Sequence, residues 1–78
     1  MELKDIIKDV LKEIERITKE AHKDYNKNDM NKWLAVIGEE FGEMVHAAND
    51  KDNKNYYTES IQTIAAIILA LQQKELRK

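Results

Sequence analysis

A chain of 78 residues with no proline and only two glycines has few means of turning, and this narrows its fold more than any other feature. Proline interrupts helices and glycine supplies the positive-φ turns of tight hairpins. A chain nearly without both suits long helices and little else. Strand-like alternation and internal repeats are absent as well.

Three stretches carry helical periodicity. Leu3, Ile6, Ile7, Val10, Leu11, Ile14, Ile17 and Ala21 recur three and four residues apart, so they share one side of a helix over about 2–23. Glu15 and Lys19 form a supporting i,i+4 pair. The polar stretch DYNKNDMN from Asp24 to Asn31 interrupts the pattern, with Asn28 or Asp29 as the cap of the next helix. A second helix is expected over about 30–48, with Leu34, Ile37, Phe41, Met44, Val45 and Ala48 as its apolar arc. After the polar connection from Asn49 to Asn55, capped at Asp52 or Asn53, a third helix is expected over about 54–76. Its core face reads as Tyr57, Ile61, Ile64, Ala65, Ile68 and Leu71, with Ile67 and Leu69 off that face. The fold class is therefore all-α, a three-helix protomer forming one domain over 1–78.

A domain this short buries only about 60% of its unfolded surface. Cysteine is absent, so no disulfide or thiolate zinc site reinforces it. The run IAAIILAL from Ile64 to Leu71 is apolar nearly all round, and three helices cannot enclose it. These features predict a homo-oligomer, a dimer or tetramer assembled as a helical bundle. Gly38 and Gly42 lie on the side of the second helix away from Glu40, where close approach of another helix would account for them.

The charge of −2, with 36% charged residues, offers no basic footprint for a nucleic acid polymer or an anionic membrane. No apolar run approaches the ~20 residues of a membrane span. The opening MELKDIIKDV mixes charge with apolar residues and does not read as a secretory signal. A cytoplasmic protein is the expectation.

Within WLAVIGEEFGEMVHAA, from Trp33 to Ala48, three carboxylates interrupt the amphipathic pattern: Glu39, Glu40 and Glu43. At three- and four-residue spacing they neighbour one another, and like charges so placed repel by a few tenths of a kcal/mol per pair. That cost is hard to account for by stability alone. On the third helix Glu59 and Gln62 are three apart. Helices joined by a short loop pack antiparallel, so the two sets can meet across a groove. Side-chain oxygens with waters suit Mg²⁺, or Mn²⁺ as an alternative. A cation there would bridge phosphate oxygens, and a further carboxylate could orient or deprotonate an attacking water. The competing reading is an ordinary solvated acidic face, since glutamate is a good helix former.

GEEFGEMVHAA followed by YYTESIQTIAAIILAL resembles the MazG-like all-α nucleoside triphosphate pyrophosphohydrolases, over roughly Trp33 to Gln72. Their pattern is ExxE, a spacer, then ExxD. Here it reads Glu40-x-x-Glu43, a spacer, and Glu59-x-x-Gln62. Glu15-Arg16 and the polar loop before Trp33 are similar to small, phage-type members. The resemblance implies Mg²⁺-dependent cleavage of an NTP or dNTP to monophosphate and pyrophosphate by a dimer or tetramer. It also implies Glu40, Glu43 and Glu59 as metal ligands, Gln62 as a fourth donor, and Glu39 as an extra ligand or the residue that positions water. Glu39 and Glu40 are thus the catalytic candidates. Gln62 is the departure, because an amide oxygen can ligate a hard cation but brings no charge. A non-catalytic assembly module with a degraded site is therefore the second hypothesis.

Two other residues carry competing readings. Trp33, at the border of the apolar and acidic faces, is read first as a packing residue and second as a candidate to stack on a substrate base. Glu43-x-x-His46 has the spacing used in di-iron bundles, which would make a di-metal carboxylate site the third hypothesis, against a plain surface histidine.

Overall fold

The computed structural model describes residues 1–20 and 30–72. Among the described residues every regular element is helical: α1 (Leu3–Glu20), α2 (Met30–Asn49) and α3 (Asn53–Leu71). The expected helices thus appear in number and order. The expected ends at 23 and 76, and the cap at Asn28 or Asp29, lie outside the described residues.

The turn between α2 and α3 is shorter than the seven-residue polar stretch that encodes it. Asp52 N–H donates to the Ala47 carbonyl at 3.0 Å and Lys51 N–H to the Ala48 carbonyl at 3.1 Å, which is the Schellman pattern of helix termination. Lys51 takes the left-handed position at φ 58°, where glycine is the usual occupant. Asp52 follows at once as N-cap of α3, its side chain accepting from Asn55 N–H at 3.2 Å.

This turn sets what faces what. Glu43 lies eight residues before Lys51 and Glu59 eight after it; Glu40 and Gln62 are each eleven away, Trp33 and Leu69 each eighteen. Folded back on itself, the hairpin brings these pairs opposite one another, and among the described residues α2 and α3 share the most extensive contact. α1 lies along α3 in the same direction. Tyr57 donates its hydroxyl to Asp9 at 2.6 Å near one end, and Ile14 and Ile17 pack toward the other end against Trp33, Ala66, Leu69 and Ala70.

Two expected faces are turned differently. On α2, Leu34, Phe41 and Val45 of the apolar arc are exposed, while Trp33 and Ala47 are buried and Val36, Ile37, Glu40 and Met44 partly so. The side with Trp33 turns inward because the small residues of α3 leave a gap that the indole fills. On α3, Ile64 and Leu71 are exposed, not core, whereas Leu69 is buried with Ala65, Ala66 and Ala70. Because α3 is flanked by both other helices, its buried arc is wide and centred on alanines. Thr63 is buried as well, its hydroxyl satisfied by the Glu59 carbonyl at 2.7 Å.

The chain therefore buries four alanines, Ala47, Ala65, Ala66 and Ala70, beside Val10, Trp33, Ile61 and Leu69, and leaves other large apolar side chains outside. Ile64, Ile67 and Leu71 form an exposed stripe on α3, Leu34, Phe41 and Val45 one on α2, and Leu3, Ile7 and Leu11 one on α1. A Cβ built at Gly38 or Gly42 would meet nothing within 4 Å, so the close approach expected there is not made among the described residues.

Candidate metal centre

Carboxylate oxygens of Glu40, Glu43 and Glu59 lie within 4.8 Å of one another. α2 supplies the first two from successive turns, and the hairpin brings Glu59 across from Glu43. Gln62 sits opposite Glu40. With its amide nitrogen turned to the acids, the orientation that satisfies both ends of the group, Gln62 donates to Glu40 Oε2 at 2.8 Å and to Glu59 Oε2 at 3.1 Å.

Crowding acids in a groove makes each harder to ionise. Burial pushes the Glu40 carboxyl above its ordinary value, and the charges of Glu43, Glu39 and Glu13 add to this, while a hydrogen bond with Glu59 opposes it. Glu43 is raised chiefly by its hydrogen bond to Glu59 and then by that neighbour's charge. Glu59 is raised first by burial, with Glu40 adding and the bond to Glu43 opposing. Carboxyls so coupled share protons as a set. A cation placed between them removes the same repulsion.

The donor set fits a hard divalent ion. All three side chains offer oxygen, as Mg²⁺ and Mn²⁺ require. Oxygens within 4.8 Å of one another are near enough for these three side chains to hold one ion between them once they turn toward it. Gln62 would present an oxygen only after its amide turned over.

Of the residues singled out in the sequence, Glu40, Glu43, Glu59 and Gln62 converge. Glu39 is on the exposed side of α2, outside the group of three. Trp33, at 3% exposure, is packed among core side chains and not in the groove. His46 pairs with Asp50 at 3.2 Å on the exposed surface and is not in the cluster, so Glu43 and His46 do not act together as a di-iron motif within this chain.

Sequence reasoning missed the contribution of α1. Beside the carboxylates lies a pocket of about 90 Å³ lined by Glu13, Arg16, Val36, Glu40, Gln62 and Ala66, among others. Arg16 is held by Glu13, with Nε to Oε1 at 2.9 Å and a second bond from its terminal nitrogen. The i,i+3 spacing was visible, but only the packing of α1 on α3 brings this pair to Glu40.

The family model for phosphoribosyl-ATP pyrophosphohydrolase matches residues 2–77. No curated protein and no solved structure matches the chain. The chain belongs to the phosphoribosyl-ATP pyrophosphohydrolase family, within the MazG-like all-α pyrophosphohydrolases, and so is grouped with hydrolases that act on nucleotides.

Proposed function

We propose that this member of the phosphoribosyl-ATP pyrophosphohydrolase family is a divalent-metal-dependent nucleotide pyrophosphohydrolase that cleaves an NTP or dNTP to its monophosphate and pyrophosphate. The observation that carries this reading is the meeting of Glu40, Glu43 and Glu59 oxygens within 4.8 Å in a chain that the family model matches from end to end of its helices.

Bound Mg²⁺, or Mn²⁺, would supply positive charge to phosphate oxygens during the displacement. The chain's own residues do the rest. Glu40, Glu43 and Glu59 would hold the cation, and Gln62 would be a fourth donor once its amide turned. Glu39, beside Glu40 in sequence though on the exposed side of α2, is assigned to orient the attacking water and accept its proton. The water oxygen bonds to the α-phosphorus as the α–β anhydride breaks, and pyrophosphate leaves. Trp33 is assigned no direct contact with the base in this reading, since its ring is packed in the core.

The reading includes a homo-oligomer, dimer or tetramer, and a cytoplasmic location alongside the nucleotide pool. Three exposed apolar stripes support the assembly, because covering them against another copy removes large apolar side chains from water. The Gly38 side of α2, open and flanked by Leu34, Phe41 and Val45, is suited to receive a partner helix. Size and motif fit a small, phage-type member.

The test is pyrophosphate release from a panel of ribo- and deoxyribonucleoside triphosphates and phosphoribosyl-ATP, with Mg²⁺, Mn²⁺ or EDTA. Metal-dependent release supports the proposal. Silence across the panel from folded protein rejects it in favour of a non-catalytic assembly module. One observation favours that second reading: the two bonds donated by Gln62 satisfy the acids without a cation.

A further inference from the structure

Two depressions on the surface share one side chain, Arg16. The first, beside the metal cluster, includes Glu40 and Gln62 in its lining, and Arg16 is the one cationic side chain among its lining residues. The second, shallower and wider, is lined by Lys12, Glu15, Arg16 and Lys19 on α1. An acidic groove and a basic patch therefore adjoin on either side of one guanidinium.

This juxtaposition matches the charge problem that a polyphosphate poses. One divalent ion leaves the three glutamates and a triphosphate with a large excess of negative charge, so cations must come from elsewhere. Arginine is suited to the task, since its planar fork meets phosphate oxygens with two bonds at once. In the structure that fork is engaged by Glu13, whose side chain is 14% exposed and fixed at the pocket wall. A carboxylate bound bidentately offers the guanidinium the same two-oxygen edge that a phosphate would.

We propose that Arg16 is the polyphosphate-binding residue of this site, that Glu13 holds its guanidinium ready in the free protein, and that the substrate's β- or γ-phosphate displaces Glu13. Lys12 flanks the same face and extends the positive field outward, while Lys19 beside it is paired with Glu15 at 3.2 Å. This rests on the pyrophosphohydrolase reading above, and it adds to that reading a helix outside the ExxE and ExxQ segments.

Calorimetric titration of the full chain with inorganic pyrophosphate in the presence of Mg²⁺ tests it, alongside a separate titration with Mn²⁺ alone followed by the loss of the free-ion EPR signal. Arg16→Met, which keeps an aliphatic stem on the helix, is expected to weaken pyrophosphate binding by about 10- to 100-fold, the range for a lost charge-assisted bond. Mn²⁺ binding should stay within about twofold of wild type. Arg16→Lys should recover part of the loss. Glu13→Gln, which loosens the competitor, should tighten pyrophosphate binding, and the double variant should behave as Arg16→Met alone. Unchanged pyrophosphate affinity in Arg16→Met, with Mn²⁺ still bound, would overturn the subsite and leave the metal centre standing. Wild-type protein that takes up no Mn²⁺ would overturn the pyrophosphohydrolase reading and the subsite with it.

Discussion

Gln62→Glu is the most informative single change, because it is isosteric and reverses the role of the group. The native amide donates at 2.8 Å to Glu40 and at 3.1 Å to Glu59. Hydrogen bonds to charged partners contribute about 1.5–3 kcal/mol each, and both acceptors here are partly open to water, so roughly half of that is retained. The variant loses both bonds, about 2 kcal/mol in all, and adds a carboxylate to three that already resist ionisation. Screened repulsion adds about 1 kcal/mol. The metal-free variant should therefore be about 3 kcal/mol less stable, a fall in Tm of roughly 10–20 °C for a domain of this size. With a cation about half of that loss is recovered: a fourth carboxylate should tighten Mg²⁺ or Mn²⁺ about tenfold, near 1.4 kcal/mol, and enlarge the metal-linked rise in Tm. Thermal unfolding at fixed protein concentration, with EDTA and with a Mg²⁺ series, measures both arms. Equal Tm in EDTA and an equal metal-linked rise for variant and wild type would refute the placement of Gln62 among the acids.

Four further expectations follow from the same geometry. Glu43→Gln should abolish metal-dependent pyrophosphate release while helicity by circular dichroism is retained; full turnover would remove Glu43 from the ligand set. Glu40, Glu43 and Glu59 are all raised above their unfolded values in the metal-free protein, so the folded state holds more protons, and stability from these groups declines as pH rises through the raised values. Tm in EDTA should therefore increase as pH falls from neutral toward the ordinary carboxylate range, and less so in Glu43→Gln; the opposite slope difference would count against the cluster. Lys51→Gly should raise stability by about 1 kcal/mol by relieving a left-handed lysine at φ 58°, as read by denaturant midpoint. Gly38→Ala should gain about 1 kcal/mol of helix propensity in a lone protomer. A loss instead, with a lower association constant by analytical ultracentrifugation, would mark that open face of α2 as packed against a partner copy.

Much of this was legible before any tertiary contact was known. The helices follow from periodicity and from scarce proline and glycine. The cap at Asp52 could be read from its position after NDK, and the Glu15–Lys19 pair, at 3.2 Å, from i,i+4 spacing. Even the facing of Glu43 with Glu59 was latent, since both stand eight residues from Lys51. Which apolar residues are core was read less well. Leu34, Phe41 and Ile64 satisfy the periodicity of a buried face yet lie outside, because periodicity marks an apolar side without saying whether this chain or another surface covers it.

The sequence by itself determined local structure and the chemistry on offer: three helices, where the second turns back into the third, and acidic side chains at spacings that can share one ion. These depend on neighbours within a few residues, so they are written in short-range pattern. Only the tertiary structure decided how each helix is rotated about its own axis, and three features of the site depend on that rotation. It turned Trp33 into the core, set the Gln62 amide nitrogen against two carboxylates, and brought Glu13 and Arg16 from α1 to the wall beside Glu40. Rotation is set by fitting one surface to another, here an indole against Ala66, Leu69 and Ala70, and no local pattern carries that fit.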